Sequence, residues 1–214
     1  ETNSDKLKSK ASEVARLGSG SACRSVFSNF AIWGQTQLVD NSSDNLAIPI
    51  HEYHESFKQL NDAILIVDEQ EKAVSSTEGH RLMQDHYYKE GRIDQANLNI
   101  GKLLKALSGG SWKDFALVVE EEALSLHALM MSSNPSYLLL NSDSIKIIHA
   151  VREFRERTGV ECCFTIDAGP NIHLLYNGAK KDIVEHFINE ELVGYCGVIK
   201  VIYDHVGNGP QRLI

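Results

Sequence analysis

Four consecutive segments with helical spacing of apolar residues separate two groups of short strand-like runs, and this order constrains the fold most. The runs before the helices are short, apolar and broken by Gly, Asn, Asp and Ser, as strands usually are. These runs lie at 30–33, 46–50 and 63–67, and the helical segments at 76–89, 92–107, 112–131 and 142–157. Elements grouped in this way are typical of an α+β fold with mainly antiparallel pairing.

The residues after the helices predict a second sheet. Apolar runs at 162–166 and 172–176 are joined by a Gly169-Pro170 turn, followed by a helix at 179–191 and a strand at 197–203. At the other end, a helix over 5–17 is expected, with Gly18 placed to stop it in a left-handed conformation. The composition changes near 70–75. We therefore predict two domains, 1–72 and 73–214.

Caps and stops are also predicted for the middle helices. Ser111 and Asp114 have the spacing of a capping box. Gly109 and Gly159 follow helical patterns and are expected to end them. These residues therefore mark helix limits and are not candidates for chemistry.

The charge of the chain excludes several classes of partner. A net charge of −8 and a pI near 5.6 argue against a general nucleic-acid or anionic-membrane surface, because Lys and Arg hold such partners. No apolar run approaches the roughly 20 residues that span a bilayer, and no signal-peptide pattern opens the chain. A soluble, cytoplasmic protein is expected.

The four cysteines, which lack CxxC spacing, are expected to be reduced and mostly buried: Cys23, Cys162, Cys163 and Cys196.

The loop from Ser19 to Arg24 has the composition of an anion site. Its Gly and Ser residues lie where one helix ends and another is expected to begin, so hydroxyls and free backbone N–H groups converge beside Arg24. Such turns bind phosphate, and a guanidinium adds a planar fork for phosphate or carboxylate. The alternative is a Ser/Gly turn that only caps a helix.

A second loop places one carboxylate at the end of a strand. Asp167 follows an apolar run and precedes Ala-Gly-Pro-Asn171, so little side-chain bulk surrounds it and a substrate could approach closely. The alternative is an Asp that forms an Asx turn.

Other polar residues favour structural interpretations. His51-x-x-His54 lacks a third ligand and is interpreted as surface histidines, so no metal site is predicted. The run from Glu120 to Glu122 is interpreted as a solvated helix face. His127, among apolar neighbours, is expected to be a satisfied core histidine. Trp33 and Trp112 are expected to be packing residues.

Several segments together resemble a known family. They are Val14 to Ser25 (VARLGSGSACRS), Val74 to Gly79 (VSSTEG), Phe164 to Asn171 (FTIDAGPN), Glu121 to His127 and Asn134-Pro-Ser. The first three of these segments, in this order and at similar separations, resemble the signatures of the diphosphomevalonate decarboxylases of the GHMP kinase superfamily, and the last two extend the likeness; the chain resembles the carboxy-terminal two thirds of these proteins. One departure is Ser28-Asn29 after Phe27, where the family usually has Gly-Gly.

The resemblance implies a GHMP-kinase-like two-domain α+β fold. The chain would supply the end of the amino-terminal (ribosomal protein S5 domain 2-like) domain and a carboxy-terminal ferredoxin-like α/β sandwich. It implies ATP-dependent decarboxylation of mevalonate 5-diphosphate to isopentenyl diphosphate in isoprenoid biosynthesis, with ATP and Mg²⁺, in a homodimer. The ATP phosphate loop is expected upstream of Glu1, so the chain alone is expected to be inactive.

Carried over residue by residue, the resemblance also assigns site residues. Ser19, Ser21 and Ser76 would bind the substrate diphosphate. Arg24 would hold the substrate carboxylate, and Asp167 would act on the tertiary 3-hydroxyl. Alternatives are a related decarboxylase or kinase acting on mevalonate 5-phosphate or mevalonate, and a non-catalytic truncated homologue.

Overall fold

The computed structural model describes residues 3–69, 83–167 and 169–210. The chain divides into two compact units. One comprises the described residues up to Lys58 together with those from Val206 onward, and the other runs from Gln59 to His205. The predicted domain limit between 72 and 73 lies among residues 70–82, outside the described ranges, and stays a prediction.

The first unit begins with helix α1 (Asn3–Gly18), which leads into a 3₁₀ turn (Gly20–Val26). Strands β1 (Phe30–Ile32) and β2 (Ile48–Ile50) then pair antiparallel. The predicted helix and both strands are confirmed. The left-handed stop at Gly18 is wrong, because Gly18 is not among the residues with positive φ and the next N–H, of Ser19, still donates to the Ala15 carbonyl.

The second unit is built on a four-stranded antiparallel sheet in the order β4-β5-β3-β6. Its strands are β3 (Leu60–Ile66), β4 (Cys162–Thr165), β5 (Ile172–Asn177) and β6 (Lys200–His205). Its helices are α2 (Lys89–Gly109), α3 (Trp112–Ser132), α4 (Ser142–Thr158) and α5 (Lys181–Phe187), which continues into a π-helical segment (Ile188–Val193). The predicted helix at 76–89 lies largely outside the described residues. The α+β class is confirmed.

One face of this sheet forms the main core. Along β5 the buried residues Ile172, Leu174 and Tyr176 alternate with the half-buried His173 and Leu175, as expected for a strand with one face covered. The buried face belongs to the same cluster as α4 residues such as Val151. His173 therefore points to the opposite face of the sheet.

The helix ends follow the predictions in part. The Ser111 hydroxyl oxygen accepts from the Asp114 N–H, so this N-cap is confirmed, but the capping box with both bonds is formed at α4 by Asn141 and Ser144. α2 ends at Gly109 as predicted, and the residue after it, Gly110, is the left-handed C-cap with φ +74°. Gly159, with φ +68°, ends α4 as expected. All four cysteines are unpaired and buried.

Residue Glu120 corrects the prediction of a solvated face on α3. Ala116, Glu120, Ala123 and His127 follow helical spacing and are all buried. The Glu120 carboxylate is held by Arg155 Nη1 at 2.5 Å and Arg152 Nε at 3.2 Å. The stripe that carries Glu120 faces the protein interior, and the carboxylate is stabilised there by two guanidinium groups from α4.

None of the described helices is both long and apolar enough to cross a bilayer.

Candidate functional site

The segment from Gly20 to Val26 is a 3₁₀ turn, and its geometry separates polar from buried side chains. With three residues per turn, residues three apart lie on the same side. Cys23 faces inward and is fully buried, whereas Ser21 and Arg24 are exposed. The Ser21 hydroxyl and the Arg24 guanidinium therefore lie on one side of the turn, one turn apart.

Ser19 occupies the position before this turn in extended backbone, with φ −154° and ψ 129°. Within the described residues its side chain makes no capping hydrogen bond to the turn, and the residue is exposed. The interpretation of Ser19 as a simple helix cap therefore does not hold. Its hydroxyl is available to a ligand.

Ser12 on α1 holds the turn in place. Its hydroxyl donates to the Cys23 carbonyl oxygen at 2.9 Å and accepts from the Ala47 N–H at 2.9 Å, and the residue is fully buried. Sequence reasoning missed Ser12, because it assigned the packed face of the helix to apolar residues. The apolar Leu7 and Val14, whose helical spacing predicts α1, are 71% and 55% exposed. A Ser on the opposite side of an amphipathic helix gave no local signal.

Gly20 and Asn29 fix the backbone on either side of the turn. A Cβ atom at Gly20 would lie 2.7 Å from Cη2 of Trp33, so a larger residue here would displace the indole ring that packs against the turn. Asn29 has φ +60°, a left-handed conformation that Asn tolerates better than most residues, and its N–H donates to Gly207 O at 2.9 Å. Asn29 therefore adopts a backbone conformation that glycine would also accept.

The loop after β4, which carries Asp167, packs against the segment from Leu139 to Ser144. Gly169 has φ +39°, and a Cβ there would lie 2.9 Å from the Leu139 carbonyl oxygen. The Pro170 carbonyl accepts from the Ser144 hydroxyl at 2.7 Å. Asp167 itself is exposed. Ala168 lies outside the described residues.

Asn171 ties the same loop to the end of β3. Its Oδ1 accepts from the N–H groups of Val67 and Asp68 at 2.9 and 3.2 Å, and its Nδ2 donates to the Asp68 carbonyl at 3.1 Å. Ser144 and Asn171 support the loop and were not assigned this role from the sequence. In the sequence, Asn171 stands out solely as the last residue of the FTIDAGPN segment that carries the family resemblance.

Two histidines interact electrostatically with Asp167. His173 Nδ1 lies 2.7 Å from Asp62 Oδ2 across the β3–β5 pair. This hydrogen bond raises the pKa of His173 above 6.5 against the opposing effect of burial, and the charges of Asp62 and Asp167 raise it further. Burial lowers the pKa of His127, while the charge of Asp167 acts in the opposite direction. The His173 imidazole therefore favours the charged form, and the His127 imidazole favours the neutral form. Among the described residues His127 Nε2 makes no hydrogen bond, so the expectation of a satisfied core histidine is wrong.

We expect His173→Gln to destabilise the protein more at acid than at alkaline pH. A His whose folded-state pKa is raised contributes stability fully below its unfolded pKa of about 6.5, and loses it as pH rises through the folded pKa. The difference from the unsubstituted protein should be on the order of 1 kcal/mol near pH 5.5 and should shrink above neutrality. Urea unfolding across pH 5–9 measures it. Asp62→Asn should give the same trend, and a pH-independent difference would contradict the assignment.

The predicted site residues fall into three groups. Ser19, Ser21 and Arg24 lie in one turn of the first unit, and Asp167 lies in the second unit. Ser76 lies outside the described residues.

No group of three or more His, Cys, Asp or Glu side chains able to hold a metal ion is found in the described ranges. His54, which was interpreted as a surface histidine, accepts a hydrogen bond at Nδ1 from the Ser56 N–H at the start of a 3₁₀ turn.

Comparison with known proteins extends these observations. A family model described as "Mevalonate 5-diphosphate decarboxylase C-terminal domain" matches residues 63–193. A second, "Diphosphomevalonate decarboxylase-like N-terminal domain", matches residues 2–46. The diphosphomevalonate decarboxylase of Candida albicans is 30% identical over 221 residues, covering 95% of this chain and 60% of that protein.

Solved structures of mevalonate diphosphate decarboxylases are also similar to this chain. Mevalonate diphosphate decarboxylase from Staphylococcus aureus is 27% identical, with a TM-score of 0.80 over 94% of this chain and 59% of that one. A structure described as "MDDEF in complex with MVAPP, AMPPCP and Magnesium" is 25% identical, with a TM-score of 0.80 and coverage of 94% and 59%. The chain thus spans between about 42% and 60% of the length of the curated relatives it matches, and it has the GHMP-kinase-like α+β fold of the solved structures. Because one family model covers more than half of the chain and these relatives match nearly all of it, the chain belongs to the diphosphomevalonate decarboxylase family.

Proposed function

We propose that the protein carrying this chain catalyses the ATP-dependent decarboxylation of mevalonate 5-diphosphate to isopentenyl diphosphate, with release of ADP, phosphate and carbon dioxide. The observation that carries the proposal is the 3₁₀ turn, whose exposed Ser21 and Arg24 lie one turn apart above the buried Cys23. Hydroxyl donors beside a planar cation suit a molecule with both a diphosphate and a carboxylate. Family membership supports the same substrate.

The proposed roles follow from the chemistry of each group. Ser19 and Ser21 donate hydrogen bonds to the diphosphate, and Arg24 binds the substrate carboxylate through its planar fork. Ser76, outside the described residues, is proposed to reach the diphosphate as well. Together these contacts fix the substrate relative to the reacting hydroxyl, which is a large part of catalysis in a phosphoryl transfer.

Asp167 is proposed to act on the tertiary 3-hydroxyl. Its carboxylate orients the hydroxyl and accepts its proton as the phosphoryl group is transferred from ATP. When phosphate leaves, positive charge develops at carbon 3, and a fixed carboxylate stabilises it. The electron pair of the carbon–carbon bond to the carboxylate then forms the double bond, and carbon dioxide departs.

The described residues suit the substrate better than they suit a metal ion. Since they contain no cluster of three or more His, Cys, Asp or Glu ligands, we propose that Mg²⁺ is carried by the nucleotide phosphates. We assign no residue of this chain to ATP. The homodimer and the cytoplasmic location stay predictions.

A substrate panel on the full-length protein tests the function and separates the alternatives. With ATP and mevalonate 5-diphosphate we expect equal amounts of ADP, phosphate and carbon dioxide. A phosphorylated product without carbon dioxide would indicate a kinase. Faster turnover of mevalonate 5-phosphate would identify a different substrate, and no turnover of any compound would indicate a non-catalytic homologue.

Arg24→Lys tests the binding site in the same assay. Lysine keeps the charge but loses the bidentate fork, so we expect kcat/KM for mevalonate 5-diphosphate to fall by roughly 10²-fold, since imperfect positioning alone has an effect of this size. Arg157→Lys is the matched control, because Arg157 is 59% exposed and, among the described residues, pairs with a surface carboxylate, Glu191. Equal activity in the two variants would contradict the role of Arg24.

A further inference from the structure

A cavity of about 570 Å³ opens in the second unit between the start of α3, the end of α4 and the start of β4. This volume is within the usual range of small-molecule sites. The walls are mainly apolar and include Trp112, Ala116, Leu117, Val160 and Cys162. Leu117 is 59% exposed, so an apolar ligand in the cavity would remove a large side chain from water. None of the residues assigned to the proposed reaction lines this cavity.

Arg155 contributes a fixed guanidinium group to the wall of the cavity. Its Nη1 donates to Glu120 Oε1 and to the Cys162 carbonyl oxygen, and its Nη2 donates to Glu120 Oε2 at 3.4 Å. A guanidinium has five N–H donors, so these three hydrogen bonds leave two donors without an acceptor among the described residues. The Arg155 side chain is 28% exposed. The cavity wall therefore holds a positioned cation with unused donors.

Positive charge exceeds negative charge at this cavity. Lys113 and Arg155 are cationic, whereas the lining residues include one carboxylate, Glu161, which accepts a hydrogen bond from an asparagine of β5 at 2.8 Å. Behind the wall, the Glu120 carboxylate is shared by two arginines, so it does not fully neutralise Arg155. The cavity therefore suits a ligand with an anionic group and an apolar body.

A neighbouring cavity of similar size has a different charge balance. It lies between α2 and α3, has a volume of about 580 Å³ and shares Leu117 with the first cavity. Its charged lining residues are two lysines and two carboxylates: Lys102, Lys105, Asp114 and Glu121. The Lys102 ammonium lies 3.7 Å from the Glu121 carboxylate. These charges balance each other, so the second cavity has no preference for an anion.

We propose that the cavity lined by Lys113 and Arg155 binds a small amphiphilic anion, whose carboxylate or phosphate head accepts hydrogen bonds from the Arg155 guanidinium. The Lys113 ammonium adds electrostatic attraction, and the hydrocarbon chain of the ligand packs against Trp112, Leu117 and Val160. Both head groups match the geometry of a guanidinium. This binding site is separate from the proposed decarboxylation, so binding and turnover can be measured independently.

Isothermal titration calorimetry of the full-length protein with octanoate tests the proposal. We expect a Kd on the order of 0.1–1 mM, since burial of the hydrocarbon chain and one ion pair drive binding. Octyl phosphate is titrated in parallel, and the tighter ligand of the two identifies the preferred head group. Octanol lacks the charge and acetate lacks the chain, so each should bind roughly 10-fold more weakly than octanoate.

Lys113→Glu and Leu117→Asp test the contacts to the head group and to the chain separately. Lys113→Glu places a like charge beside the ligand head, and Leu117→Asp places a carboxylate against its chain. Each should weaken octanoate binding by about 10-fold or more. Both residues are exposed, so the thermal midpoint of the free protein should stay the same in both variants.

The matched control is Lys105→Glu, since Lys105 is an exposed lysine that lines the neighbouring cavity, and octanoate binding should not change. Equal losses in Lys105→Glu and Lys113→Glu would overturn the proposal. Equal binding of octanoate and octanol would also overturn it, and so would the absence of binding by both anions. Because the titration needs no turnover, its failure is distinguishable from a failure of the proposed function.

Discussion

Asp167→Asn should lower kcat by about 10³-fold or more in the full-length protein, because the substitution removes both a proton acceptor and the charge that stabilises a cationic carbon. The amide has the same shape as the carboxylate, and Asp167 is exposed, so the thermal midpoint should stay the same. Steady-state release of carbon dioxide measures the first effect. Circular dichroism during heating measures the second.

The control for this experiment is Asp94→Asn, an exposed carboxylate on α2. It changes the net charge by the same amount and should retain full activity. Should Asp167→Asn retain more than about a tenth of the activity, a loss smaller than removal of a general base normally causes, Asp167 would not have the proposed role. A loss of activity together with a lower midpoint would mean that the loop had lost its structure.

Glu120→Ala should reduce the free energy of unfolding by about 1.5–3 kcal/mol, the usual contribution of hydrogen bonds to charged groups. This range applies because the Glu120 side chain is 7% exposed, whereas the arginines it leaves behind are 40% and 28% exposed and can be hydrated. The substitution leaves Arg152 and Arg155 facing a small apolar residue. Arg155 also donates to the Cys162 carbonyl at 2.9 Å, and the Arg152 guanidinium lies 5.3 Å from the centre of the Phe164 ring. The destabilisation should therefore extend from α3 to α4 and β4.

Glu121→Ala is a neighbouring control for this prediction. Glu121 is exposed, and its carboxylate lies 3.7 Å from the ammonium nitrogen of Lys102, a surface pair expected to contribute at most about 1 kcal/mol. Urea unfolding of the two variants should differ clearly. Equal losses would mean that Glu120 is not stabilised by its two arginines, and a loss below about 1 kcal/mol for Glu120→Ala would contradict burial of the pair.

The residue types of the two candidate loops could be recognised in the sequence, whereas the buried residues that hold these loops in place could not. Residue types alone predicted an anion site in the Ser19 to Arg24 loop, and the structure exposes Ser19, Ser21 and Arg24, while anion binding itself stays a prediction. Ser12 was missed because its two partners, Cys23 and Ala47, lie 11 and 35 residues away. Hydropathy also assigned Glu120 to solvent, since a periodic pattern does not reveal two arginines on another helix.

The order of the strands in the sheet could not be predicted from the apolar pattern of the sequence either. Short apolar runs predicted β3 and β5, and antiparallel pairing was expected, but no residue of either run specifies its neighbour. The Asp62–His173 contact joins residues 111 positions apart. The assembled sheet places the Asp62 carboxylate beside the His173 imidazole. Neither residue was singled out from the sequence.

The central position of β3 also has a consequence for synthesis of the chain. β3 lies between β5 and β6, which are made more than 100 residues later, so it leaves the ribosome with both backbone edges unpaired. Helices α2 and α3 can form from local contacts in the meantime, whereas the sheet has to wait for long-range loop closure. We therefore expect an early helical intermediate that exposes β3 to aggregation, and formation of the Asp167 loop as a late folding event.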